Sequence, residues 1–231
     1  MGELTRAEIR ERVRFQFGNN TAFDSVGDDA TNFYDKWIDA AYRRLTTSEY
    51  FWGKRRRFRF PELETSTTAD TVDGTAYVST PSGSLVIQHV YDTENNVYLT
   101  NIPYSEYVKY TNRADTSAEG GPTYWTRTGA YIYLHPTPDD AYTLRIHYRK
   151  IPDNFASDSA TSEIGSEWDE IIVQLAVYTG KRDTGEFESA KLLKEDIDDM
   201  LGAMMSIYGQ EEFSREQYIH LDPVYRRGSG Y

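Results

Sequence analysis

The sequence predicts an α+β fold: a discontinuous four-helix bundle, a small antiparallel β-sandwich or barrel inserted into it, and an extended C-terminal arm. Three observations predict it. Apolar residues recur at helical spacing towards both ends of the chain, through Phe33, Trp37, Ala41 and Leu45 and again through Phe187, Ala190, Leu193, Ile197 and Leu201. Between them the pattern has a period of two. In residues 130–134 and the histidine that follows, Tyr131, Tyr133 and His135 share one side and Ile132 and Leu134 the other. In residues 142–148, Tyr142, Leu144, Ile146 and Tyr148 oppose Thr143, Arg145 and His147. After Gly209 no period survives. The expected divisions are residues 1–53 and 163–208 for the two halves of the bundle, 54–162 for the β domain and 209–231 for the arm.

Taken in order, Thr5 with Glu8 is a capping-box pattern, and Ile9, Val13 and Phe17 follow on one helical face. Asp28 or Asp29 is expected to start the second helix, where a carboxylate suits the positive helix end. That helix has two apolar faces and is expected in the middle of the bundle. Phe51-Trp52-Gly53 breaks it. Residues 54–60 then alternate, with Phe58 and Phe60 opposite Arg57 and Arg59, as in a strand with a solvated basic face.

Residues 62–75 are polar and without period, hence a loop. Short strands are expected at 75–80, 85–92 and 96–100, with a tight turn at Asn95-Asn96, and a looser alternation covers 103–110. The runs at 130–134 and 142–148 are expected to pair as a hairpin across a proline-punctuated turn, His135 to Asp140. Ser166 with Asp169 reads as a second cap, opening a helix through Ile171, Ile172 and Leu175. Thr184 is expected to cap the last helix, whose outer side is acidic: Glu188, Glu195, Asp198 and Asp199. The final segment holds Phe213, Tyr218, Leu221, Pro223, Val224, Tyr225, Arg226, Arg227 and Tyr231. Frayed termini are small and polar; Tyr and Arg are the residues of binding hot spots, so this segment is read as an arm that docks on a partner.

The net charge of −12 argues against a broad basic face gripping nucleic acid, which needs surplus Lys and Arg to neutralise phosphate. It remains compatible with surrounding DNA without holding it. The absence of cysteine rules out disulfides, cysteine zinc sites and a thiol nucleophile. Residues 1–20 lack the apolar core of a signal peptide, and no apolar run approaches the roughly 20 residues that span a bilayer. The expectation is a soluble protein made in a cytoplasm. Nineteen tyrosines suit half-buried sheets and wet interfaces.

No catalytic constellation emerges. His89, His135, His147 and His220 form no recognisable metal pattern, although His135 and His147 fall on the two expected hairpin strands. Gly120-Gly121 lacks the helix and lysine of a phosphate loop. Asp198-Asp199 are adjacent on a helix and face apart; Asp139-Asp140 reads as turn chemistry. Neither a cofactor nor a metal is expected.

The order of elements resembles the head-to-tail adaptor proteins of tailed bacteriophages, the family that includes podovirus tail tubular protein A. The resemblance runs over nearly the whole chain. It rests on Trp37, Phe51-Trp52, Gly121-Pro122-Thr123-Tyr124, the Tyr131-to-Pro138 run, Tyr148 with Pro152, and an Ala176-bearing helix followed by a long acidic one. Residues 163–167 depart from the pattern in lacking a proline. The resemblance implies a structural virion protein of the neck, made in the host cytoplasm. It implies a dodecameric ring beneath the portal protein that extends the DNA channel and offers a platform to a downstream tail or nozzle protein. DNA would pass without specific binding, and no membrane is involved. The C-terminal arm would reach the portal, and the acidic face of the last helix is a candidate channel lining. Arg55, Arg57 and Arg59 are candidate contacts to a neighbouring subunit's acidic face. The competing expectation is a β-sandwich carbohydrate-binding module on a helical stalk, with Tyr124, Trp125, Tyr131 and Tyr133 stacking on sugars.

Overall fold

Thr5 opens the first helix, α1 (Arg6–Gln16), as its spacing requires: its hydroxyl accepts from Glu8 N–H, and the Glu8 carboxylate accepts from Thr5 N–H. Ile9 and Val13 are buried. The computed structural model describes residues 3–24, 32–56, 58–112 and 119–208. The second helix, α2 (Phe33–Thr47), starts later than expected. Asn32 is its cap, accepting from Tyr34 N–H at 2.9 Å, while Asp28 and Asp29 lie outside the described residues.

Two short strands follow, β1 (Tyr50–Phe51) and β2 (Lys54–Arg55), joined at Trp52-Gly53 with both φ positive. A two-residue hairpin turn of that kind matches the strand twist. The strand expected over 54–60 ends at Arg55. Phe58, Phe60 and, after a 3₁₀ turn at Pro61–Leu63, Leu63 leave the ribbon and sink into the helical core.

The β region comprises β3 (Glu64–Asp70), β4 (Tyr77–Ser79), β5 (Ser84–Asp92), β6 (Val97–Tyr98), β7 (Thr100–Asn101), β8 (Tyr124–Thr128), β9 (Tyr131–His135) and β10 (Thr143–Lys150). They form two four-stranded sheets, ordered β3-β10-β5-β6 and β4-β9-β8-β7. Three expectations are corrected. Residues 64–70 are a strand, not loop; their backbone pairs with β10 although no apolar alternation marks them. The loose alternation at 103–110 is a helix, α3 (Tyr104–Thr111), in which Tyr107 is buried against β8 and β9. Finally, β9 and β10 do not pair. β9 pairs with β4 and β8, and β10 with β3 and β5, so the proline segment carries the chain from one sheet to the other. The faces were assigned correctly all the same: Ile132 and Leu134 meet Leu144 and Ile146, with Val78, Ile87, Val90, Leu99 and Trp125, in one core between the sheets. β7 runs parallel to β8, so the second sheet is mixed. The expected turn forms at β5–β6, where Asp92 Oδ1 accepts from Glu94 and Asn95 N–H and Asn96 has φ 55°.

The chain then returns to helix. The cap expected from Ser166 is not made. Ser166–Trp168 is a 3₁₀ turn, and Asp169, at the start of α4 (Asp169–Asp183), accepts from Leu4 N–H at 2.8 Å instead. Thr184 closes α4 rather than opening α5 (Phe187–Tyr208), its hydroxyl donating to Gly180 O. The central helix is α4, not α2. It packs on α1, α2 and α5, and buries consecutive residues from Ile171 to Val173 and from Leu175 to Tyr178, as an element surrounded on all sides must. Helices from both ends of the chain thus share one core.

Candidate functional site

The surfaces singled out in the sequence are built from α5, from the strap that precedes β3, and from the outer faces of the sheets. Along α5, Ala190, Ile197 and Leu201 are buried and Leu193, Met204 and Tyr208 partly so, while Phe187 at its start is 65% exposed. The inner stripe is therefore shorter than the periodicity implied.

Of the four acidic candidates, Glu188, Glu195 and Asp199 are exposed. Asp198 is not free to line anything. Its carboxylate pairs with Lys54 Nζ and, at 2.6 Å, with Arg56 Nη2, which also donates to Asp198 O at 3.1 Å. The Arg56 side chain is 11% exposed and that of Asp198 18%. Lys54 foremost, then burial opposing it and Arg56 reinforcing it, leave the Asp198 carboxyl below the usual carboxylate range. Gly202, one turn on, lies beside the guanidinium, where a Cβ would lie 3.4 Å from Arg56 Nη1, an ordinary contact.

These two cations escaped the sequence reading, which dwelt on Arg55, Arg57 and Arg59. The signal was present for Arg56, which shares the parity of Phe58 and Phe60, both buried; a cation on an inward-facing side needs an acidic partner. Arg55 is exposed, Arg59 pairs loosely with Glu64 at 3.4 Å, and Arg57 lies outside the described residues.

The strap also meets the last described turn of α5. The Tyr208 carbonyl accepts from Arg59 N–H at 3.0 Å, and its ring packs on Trp168 with centroids 5.3 Å apart. A hydrogen bond to the Glu167 carboxylate raises the Tyr208 hydroxyl pKa. The arm residues Phe213, Tyr218, Leu221, Pro223, Val224, Tyr225, Arg226, Arg227 and Tyr231 lie outside the described residues.

On the β region, Tyr77 meets Tyr131 edge to face at 4.8 Å, and Tyr133 continues the row to Tyr107 and Tyr104. Trp125, a proposed sugar platform, is instead a core residue. Tyr124 lies stacked with His135 and Tyr110. His135 and His147 are not neighbours, since their strands belong to different sheets; His147 stands in register with His89. Burial holds the His135 imidazole below its ordinary pKa.

Among the described residues no group of three or more His, Asp or Glu side chains could hold a metal ion. Among the same residues no helix is long and apolar enough to cross a membrane. What the surfaces offer is charge and aromatic area. Comparison with protein families matches residues 4–218 to the family described as SU10 adaptor protein. No curated protein matches the chain.

Proposed function

This chain belongs to the SU10 adaptor protein family, and on that premise we propose that it is a structural virion protein, the head-to-tail adaptor of a tailed bacteriophage. In this reading its copies form a dodecameric ring under the portal protein. The ring extends the DNA channel and presents a platform to the next tail or nozzle protein. A likeness to podovirus tail tubular protein A is the finer form of the same reading. The observation that carries it is the family match over nearly the full length.

The physical features are compatible. Ring contacts are heterologous, so each copy offers two different patches. The exposed tyrosines and the arginines at 55, 57 and 59 supply one kind of surface, and the outer side of α5 the other. A DNA conduit should not bind what slides through it. Glu188, Glu195 and Asp199 are the channel-lining candidates that remain exposed, and their charge acts on phosphate within a Debye length of about 8 Å. The arm from Phe213 to Tyr231 is the proposed portal contact.

The test is negative-stain microscopy of the purified protein, alone and mixed with portal from the same virus. Rings, or portal rings that gain a layer, are expected. A monomer that ignores the portal overturns the adaptor role.

A further inference from the structure

Alternation along β10 leaves one face of its sheet open. Leu144 and Ile146 are buried in the core between the sheets, so Arg145, His147 and Arg149 project from the opposite face. The register sets Tyr91 beside Arg145 and His89 beside His147. Tyr98 of β6 lies against Tyr91, with ring centroids 4.9 Å apart. Val86, beside Arg149, is exposed. Cationic and aromatic side chains thus share one surface in a chain whose net charge is −12. Arg145 is exposed and makes no ion pair or hydrogen bond with a described residue.

The chemistry of this face narrows its ligand. A metal ion is disfavoured at the two imidazoles, because Arg145 and Arg149 stand two residues to either side of His147. A negatively charged group is favoured. A long polyanion is not: a nucleic-acid strand crossing the face would pass over Glu64 and Asp70, which stand on β3 opposite Arg149 and Thr143. Arginine with tyrosine is the composition of a protein-binding surface. A short acidic segment of protein, with an apolar residue among its carboxylates, fits best.

The chain carries such a segment. Glu188, Leu192, Glu195 and Asp199 follow at intervals of four, three and four, and so form one stripe along α5. All four are exposed, Leu192 by 67%. No described cation pairs with the three carboxylates. The stripe is about 17 Å long at 1.5 Å per residue, and Arg145 to Arg149 about 14 Å at 3.4 Å per residue. Both surfaces are exposed in the folded chain, so they do not meet within one copy. We propose that this sheet face receives the acidic stripe of α5 from a second copy of the chain. The carboxylates accept hydrogen bonds from Arg145 and the imidazoles, and Leu192 packs against Tyr91 and Tyr98. The two surfaces differ, so the contact is heterologous and leaves each copy able to bind another. In a ring it gives the outer side of α5 its receiving surface and draws Glu188, Glu195 and Asp199 away from the channel wall. That use rests on the adaptor reading; the contact itself does not.

Sedimentation of the full-length chain over a range of concentrations tests it. Association is expected at about 0.05 M salt and should weaken roughly ten-fold at about 0.5 M. His89→Glu/Arg145→Glu should weaken it by roughly ten-fold or more, and so should Glu188→Lys/Glu195→Lys. The four changes in one chain should restore it, a result that damage to folding cannot produce. A chain that stays monomeric at every concentration, or that associates alike in all four forms, overturns the proposal. Binding of a fluorescent single-stranded oligonucleotide that is lost in His89→Glu/Arg145→Glu gives the face to nucleic acid and overturns it too. The adaptor role is decided separately, by the layer added to portal rings.

Discussion

Gly180 shows how one position decides between opposed effects. It lies inside α4, where glycine is worse than alanine by about 0.5–1 kcal/mol, so propensity alone favours replacement. The structure reverses the sign. A Cβ at 180 would sit 2.6 Å from a Trp37 ring carbon and 2.7 Å from Phe17. Trp37 is buried and held in place by its Nε1–H bond to Asp183 at 2.9 Å, so it has no room to yield. Gly180→Ala should therefore destabilise the protein, by the roughly 1–3 kcal/mol of an overpacked core, read as a lower melting temperature. Asp169 supplies a second residue-level test. Burial raises its pKa against the counter-effect of the Leu4 N–H bond, and its Oδ1 has no hydrogen-bond partner. A carboxyl with a raised folded pKa favours folding below its unfolded pKa and loses that contribution as pH rises through the folded value. Asp169→Asn keeps the acceptor for Leu4 without the charge. Its melting temperature should exceed that of the unaltered protein at pH 7, and the difference should vanish in acid. A persistent advantage in acid would assign the effect to packing instead.

At the scale of elements, the strap and α5 are held together by Asp198. Removing that carboxylate takes the ion pair with Asp198 from the half-buried Arg56, which should cost about 1.5–3 kcal/mol for a charged hydrogen bond. Glu195→Ala, on the exposed side of the same helix, should stay within about 0.5 kcal/mol. Equal effects of Asp198→Ala and Glu195→Ala in chemical denaturation would show that the strap does not hold the helix. The same contrast explains what was legible in the sequence. A period of 3.6 with a capping box located α1, because both signals are local. A period of two assigned the inner faces of β9 and β10, because it reports which side is buried; it carries no information about the neighbouring strand, so the pairing was wrong. β3 was missed because its partner β10, not its own Thr and Ser residues, makes it a strand. In α3, Tyr104, Tyr107 and Val108 stand at helical spacing, and the apolar alternation competing with it was the weaker signal. The acidic face of α5 was visible, but the loss of Asp198 to Arg56 was not, since that contact joins residues 142 positions apart.

At the scale of the whole molecule, the described residues form two cores. One joins the helices with Phe58, Phe60 and Leu63; the other lies between the sheets. Trp37, Trp52 and Trp168 belong to or pack against the first, and Trp125 belongs to the second, so fluorescence can follow each. They differ in what titrates near neutrality. His135, on β9, is buried beside Tyr110 and Tyr124 and has a folded pKa below its ordinary value of about 6.5. In the interval between the folded and unfolded values the unfolded chain binds more protons, so stability rises with pH there. Acidification from pH 7 towards 5.5 should therefore lower the unfolding transition of the sheets, and His135→Phe, which preserves the stack, should flatten that dependence. The helical transition, followed alone in Trp125→Phe, should not fall over the same interval. Were both cores to shift together as one transition, the strap would be rigid enough to make the chain a single cooperative unit. Separate transitions place that coupling below the energy of either core, and leave the β region able to yield while the helical core stays intact.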